Sequence, residues 1–262
     1  MMFTRIACLA AACLGLAMAV PDAGAADLTL AAAINKAGRQ RMLSQRMVKA
    51  YCQKGLGVMP ASSGRQLTEA MALFERQLAE LKAFVSTGPA RESVAQMESG
   101  WKSFKESASR PPSREGCEAL SQKGEDLLAS AHRLTLELQA QSSGAVGRLV
   151  NISGRQRMLS QRLAKLYMLM AWGFDNPAVQ DQMESARNEF TGALATLQSA
   201  PESKGQLREE LDSVALQWEW FQNALAQDST YASYRLVVAD SSESILQSME
   251  NLTQLYEQLA PR

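Results

Sequence analysis

One stretch of this chain occurs twice. Ile34-Asn35-Lys36-Ala37-Gly38-Arg39-Gln40-Arg41-Met42-Leu43-Ser44-Gln45-Arg46-Met47-Val48-Lys49 returns as Val150-Asn151-Ile152-Ser153-Gly154-Arg155-Gln156-Arg157-Met158-Leu159-Ser160-Gln161-Arg162-Leu163-Ala164-Lys165. Gly38 to Arg46 is identical to Gly154 to Arg162, 116 positions on. Phe74, Leu78 and Leu81 match Phe190, Leu194 and Leu197 at the same offset, and Trp101 and Phe104 match Trp218 and Phe221 at an offset one larger. Such self-similarity means two homologous units, each needing its own core.

Neither unit reads as strand. Gly and Pro cluster at a few breaks, and the segments between are rich in Ala, Leu, Met, Gln, Glu and Arg, which favour helix. The breaks predict helices over 30–54, 64–86, 89–107 and 114–141, then 146–173, 177–199, 202–226 and 231–259. Four helices with short connections form an up-down-up-down bundle. Leu67, Met71, Phe74, Leu78, Leu81 and Val85 recur at three and four, as one apolar stripe requires. The expected fold is therefore all-α: two tandem antiparallel four-helix bundles, residues 26–142 and 143–262, related by a pseudo-twofold axis. The short linker 141–145 makes the second motif helix start at the same end as the first and run parallel to it; packing about the pseudo-twofold axis then sets the motifs side by side, and packing end to end keeps them apart.

Met1 to Ala25 reads as a cleavable secretory signal: Arg5, then an apolar run from Ile6 to Val20, then Ala23-Gly24-Ala25. The mature chain is expected in the periplasm, with no later run apolar enough to insert in a membrane. The whole chain carries 27 basic and 27 acidic residues. This balance argues against nucleic acid as a partner. Outside the signal stand Cys52 and Cys117, 65 positions apart. In an exported chain a cysteine pair suggests a disulfide, and the bundle topology puts both at one end of the first unit.

On a helix, Ile34, Gly38, Arg41, Gln45, Val48 and Cys52 advance by four, three, four, three and four. They form one seam, and Arg41 stands in its middle. Val150, Gly154, Arg157, Gln161, Ala164 and Met168 form the second. A glycine inside a helix costs about 1 kcal/mol, so Gly38 and Gly154 suggest close approach by a partner helix or small ligand. With the seams face to face, Arg41 and Arg157 converge. Two buried guanidinium groups repel and are costly to desolvate, and an anion between them removes both problems. A planar, forked donor suits a planar oxyanion. Three or four charge-assisted bonds at about 1.5–3 kcal/mol each, less the cost of association, give roughly micromolar to millimolar affinity.

These residues resemble the periplasmic sensor domain of the PilJ/NarX-like family, found in type IV pilus chemoreceptors and nitrate/nitrite sensor kinases. The match runs through Ile34, Asn35, Ala37, Gly38, Arg41, Met42, Ser44 and Arg46, and again in the second copy, where Val150 and Ser153 stand for Ile34 and Ala37. The resemblance implies a four-helix bundle that pairs through its first helices. It also implies an anion on the pairing axis, held by the motif arginine from both sides. Here those arginines are Arg41 and Arg157, with Gly38 and Gly154 close by and Arg46 and Arg162 closing the signature.

The expected function is a soluble periplasmic binding protein for a small oxyanion, nitrate or nitrite first, held by Arg41, Arg157, Gly38, Gly154, Gln45, Gln161, Arg46 and Arg162. A membrane-bound receptor, sensor kinase or transporter would read its state. The alternative is a ligandless helical module docking on a type IV pilus or chemoreceptor component. His132 is the only histidine and lies in no Glu-x-x-His pattern. A lone helical histidine is expected at the surface or in a cap, and neither an enzyme, a metal site nor a cofactor is expected.

Overall fold

The computed structural model describes residues 28–142 and 145–259. They form α1 (Leu30–Gly55), α2 (Pro60–Phe84), α3 (Pro89–Ala108), α4 (Arg114–Gln139), α5 (Ala145–Ala171), α6 (Pro177–Ser199), α7 (Gln206–Leu225) and α8 (Ala232–Gln258). The described residues are all-helical, four helices to each repeat. The predicted signal, Met1 to Ala25, lies outside them. No described helix is long and apolar enough to cross a membrane.

Two helix starts differ from the expectation. α2 begins at Pro60 rather than Gly64, because a proline ring pre-sets the dihedral of the first helical residue and lacks only an N–H that would be orphaned there. The hydroxyl of Ser63 donates to the Val58 carbonyl at 2.8 Å and fastens that turn. α7 begins at Gln206 rather than Glu202. Gly205 takes φ +55, which a residue with a Cβ rarely adopts, and the chain reverses there before the helix starts.

α1 and α5 form the spine. α1 packs on α2, α4 and α5, while α5 packs on α6, α8 and α1; α3 lies on α4, and α7 on α8. The two spine helices run parallel and in register. A Cβ on Gly147 would stand 3.6 Å from Ile34 Cδ1 near their starts. At their ends the Trp172 indole donates to the Cys52 carbonyl at 3.2 Å, and the Arg114 guanidinium donates to the Trp172 carbonyl at 2.9 Å.

A helix at the centre of such an assembly has no solvent face. Between Ala33 and Gln53 only Lys36, Arg39 and Arg46 escape full burial. The motif's polar residues are therefore inside the molecule, and each must find a partner or carry a desolvation cost. Around the spine the repeats use matched packing. Phe74 stacks on Trp101 with centroids 4.4 Å apart, and Phe190 on Trp218 at 4.0 Å. Gln40 donates to the Phe74 carbonyl at 3.2 Å, and Gln156 to that of Phe190 at 2.8 Å. Cys52 and Cys117 are joined in a disulfide, with Cα atoms 5.4 Å apart, which ties the end of α1 to the first turns of α4.

Candidate functional site at the seam of the repeats

Arg41 and Arg157 are both fully buried between α1 and α5. Their contacts are reciprocal. Arg41 Nη2 donates to Asn151 Oδ1 at 2.8 Å and to the Asn151 carbonyl at 3.3 Å. Arg157 Nη2 donates to Asn35 Oδ1 at 2.7 Å and to the Asn35 carbonyl at 3.4 Å. Each arginine thus reaches back toward the start of the opposite helix, the direction in which helical side chains lean. In both, Nε has no hydrogen-bond partner.

The glycines give these guanidinium groups their room. A Cβ on Gly38 would meet Arg41 Nη2 at 3.2 Å and Arg157 Nη2 at 3.7 Å. On Gly154 it would meet Arg157 Nη2 at 3.1 Å and Arg41 Nη2 at 3.6 Å. The two cations are near neighbours across the seam. Burial first, then Arg39 and Arg41, lower the pKa of Arg157. Burial first, then Arg155, bring that of Arg41 down to about 9. A guanidinium stays protonated at neutral pH, so these shifts report the cost of holding the charges here.

The outer partners of the two arginines are not alike. Arg157 Nη1 meets the carboxylate of Glu250, which also binds Arg39. Arg41 Nη1 meets only the imidazole of His132, at 3.4 Å, and Arg155 Nη1 lies 3.5 Å from the same Nδ1. Burial, Arg41 and Arg155 push the pKa of His132 down to about 4, so the ring is neutral at neutral pH. His132, expected at the surface or in a cap, is instead half-buried against two cations. Arg155 has a carboxylate on its other side, Glu189. Arg41 has none.

A second cluster lies about two turns further along. Lys49, fully buried, donates to Glu243 at 2.5 Å and to Ser242 Oγ at 3.0 Å, and Arg46 binds the same carboxylate. Lys165 donates to Glu125 at 2.5 Å, with Arg162 at 3.1 Å. Both clusters cross between the repeats, α1 to α8 and α5 to α4. The structure therefore brings Arg41, Arg157, Gly38 and Gly154 together. It engages Arg46 and Arg162 elsewhere, as neutralised partners of Glu243 and Glu125. Gln45 and Gln161 are buried between the two groups. Gln161 Nε2 donates to the Ser242 carbonyl at 2.9 Å, and Gln45 Nε2 to Ser44 Oγ at 3.3 Å. Each leaves its Oε1 without a partner.

Eight residues that the seams do not mark also belong to these clusters: Asn35, Asn151, Lys49, Lys165, Glu125, Glu243, Glu250 and His132. The first four stand inside the repeated motif, at the same position of each copy, and that repetition was the available signal. The last four lie on α4 and α8, where the offset between repeats is 118: Glu125 with Glu243, His132 with Glu250, Leu134 with Leu252. Only an alignment that admits the two extra residues shows them as equivalents.

A cleft of about 310 Å³ lies between α5 and α6, on the Glu189 side of Arg155, lined among others by Arg155, Arg162, Gln182 and Glu189. The fold and the seam define a tandem of four-helix domains joined along their repeated first helices, with buried arginines at the joint. The sequence profile of the family described as Type IV pili methyl-accepting chemotaxis transducer N-term (PilJ) matches residues 27–127 and again 138–240. The chain belongs to this family, in two tandem copies. No curated protein and no solved structure matches it. The family is one of chemotaxis transducer domains, a sensing and interaction class rather than an enzyme class.

Proposed function

We propose that this chain binds a small planar oxyanion, nitrate or nitrite first, between α1 and α5, and presents its bound or free state to a membrane-bound receptor, sensor kinase or transporter. One observation carries the proposal. Arg41 is a fully buried cation whose partners are two asparagine oxygens and one neutral imidazole nitrogen. A buried charge without a counter-ion is destabilising by several kcal/mol, and such an arrangement is retained where a ligand completes it. Arg157, Gly38 and Gly154 supply the opposite wall. Gln45 and Gln161, with an unpartnered oxygen each, are placed to favour bound donors rather than an anion, so we leave them outside the anion's immediate contacts. The same reading puts the mature chain in the periplasm, behind the predicted signal.

The test is thermal unfolding and calorimetric titration of the mature protein with nitrate, nitrite, formate and chloride at constant ionic strength. A ligand at a hundredfold excess over Kd raises stability by about 2.7 kcal/mol. Arg41→Met should abolish that gain. Unfolding temperatures that no oxyanion moves would end the proposal.

A second reading has its own support. Leu216 and Trp220, one turn apart on α7, are 63% and 76% exposed, and Leu236 and Val237 near the start of α8 are also exposed. Apolar side chains so placed suit docking on a pilus or chemoreceptor component. Leu216→Asp with Trp220→Asp should then abolish capture by such a component while leaving anion binding unchanged. Capture unaffected by the pair would remove this reading.

A further inference from the structure

The two halves of the seam hold equivalent arginine pairs. Arg157 and Arg39 face α8; Arg41 and Arg155 face α4. In the α8 half, one carboxylate, that of Glu250, bridges both guanidinium groups. A second, that of Glu257, accepts from the amide of Asn35. In the α4 half the same two places are taken by neutral side chains. His132 stands for Glu250, and Gln139, which accepts from the amide of Asn151, stands for Glu257. Cations and carboxylates balance in the α8 half. In the α4 half the one carboxylate, Glu189, binds Arg155 on its far side and leaves Arg41 without one.

A carboxylate is itself a planar oxyanion. Glu250 therefore demonstrates what this arrangement of two forked donors holds, and where. We infer that the exogenous oxyanion occupies the α4 half of the seam, between Arg41 and Arg155 and against His132, in the place that Glu250 fills in the other half. The site is thus off the line between the repeats, single, and made by His132 standing where the other repeat carries Glu250.

Access favours the same half. The side chains of Arg155 and Glu189 are each 33% exposed, against 17% for Arg39 and Glu250. The cleft between α5 and α6 reaches Arg155 and Glu189 but includes no residue of α4. The donors are also loosely held. Both Arg41 Nη1 and Arg155 Nη1 point at one imidazole nitrogen from 3.4 and 3.5 Å, longer than a good hydrogen bond to a charged acceptor. An oxyanion with two oxygens turned toward them offers each a partner of its own. The inference rests on the oxyanion-binding reading, moves the ion from between Arg41 and Arg157 to between Arg41 and Arg155, and fixes the number of ions.

The chain has one histidine, so an untagged protein gives one imidazole signal. The experiment follows that signal by 15N-edited NMR while sodium nitrate is added, with sodium formate and sodium chloride in parallel. The wild type should bind one nitrate, and the His132 pKa should rise by about 1–3 pH units as an anion arrives beside it. His132→Glu builds the missing carboxylate into the α4 half. It should fold at least as stably as the wild type and bind nitrate at least tenfold more weakly. Glu250→His opens the other half and should bring the count to two nitrates per chain.

Wild type that binds no oxyanion overturns both this inference and the function it rests on. Binding that survives His132→Glu, with a His132 signal indifferent to nitrate, overturns the inference alone and leaves the ion between Arg41 and Arg157. If Glu250→His does not fold, the His132 titration and His132→Glu decide the matter without it.

Discussion

Glu243→Gln should destabilise the folded chain by about 3 kcal/mol at neutral pH. The Glu243 carboxylate, on α8, is the shared partner of Lys49 and Arg46 on α1. Burial pushes its pKa up, but the charges of Lys49 and Arg46 and their hydrogen bonds outweigh that and hold it at about 2, against a usual 4.5. At about 1.36 kcal/mol per pH unit the difference corresponds to about 3 kcal/mol. An independent route agrees: removing one partner from a buried ion pair costs about 3–5 kcal/mol, because the other charge is left behind. Lys49 is that other charge. It is fully excluded from solvent, and burial lowers its own pKa even with Glu243 present. For a chain of this size, about 2–4 °C of unfolding temperature per kcal/mol gives a fall of about 6–12 °C.

The assay is calorimetric melting and urea unfolding of wild type and variant across pH. The folded pKa lies below the unfolded one, so the carboxylate's contribution is complete above about pH 4.5 and is lost as pH falls through about 2. The gap between wild type and Glu243→Gln should follow that course. It should also survive 1 M salt, which screens exposed pairs far more than buried ones. The double variant Lys49→Met with Glu243→Leu should recover most of the loss, since an apolar pair of similar volume replaces both charges. A gap under about 1 kcal/mol at pH 7, or one that does not narrow below pH 4, would refute the reasoning.

Other outcomes follow from the same geometry. Reducing the Cys52–Cys117 bridge, which closes a loop of 65 residues, should lower stability by about 2–4 kcal/mol by releasing entropy to the unfolded chain. Melting with and without reductant, against Cys52→Ala with Cys117→Ala, measures it. Gly38→Ala should leave stability within about 1 kcal/mol of wild type, because helix propensity offsets the crowding. It should nonetheless weaken oxyanion binding, because the new methyl would meet Arg41 Nη2 at 3.2 Å. Titration together with melting separates the two effects.

Most of the architecture was written in local spacing. Repetition announced two units, Pro and Gly marked the breaks, and residues stepping by three and four placed Arg41 and Arg157 on facing seams. The disulfide partners followed from a single cysteine pair outside the signal and from topology, since an up-down bundle returns α4 to the end where α1 stops. What local spacing does not carry is which residues of distant helices stand opposite the seam. Asn35 and Asn151 were visible in the motif, but their bonds to the opposite arginine depend on the parallel register of α1 and α5. Lys49 and Lys165 lie outside the apolar stripe, and local spacing does not tell them from solvated side chains. They are buried because the spine helices are covered on every side, and their charges then need Glu243 and Glu125 from the other repeat.

The repeat and its helical periodicity, both short-range properties of the chain, determined that this protein is a pair of helical bundles with an arginine at the centre of each first helix. Tertiary packing decided that Glu250 neutralises one of those arginines while the other faces His132. The reason is that charge balance in a buried seam is set by whichever side chains two separate helices bring across it, and no spacing along a single helix records that choice.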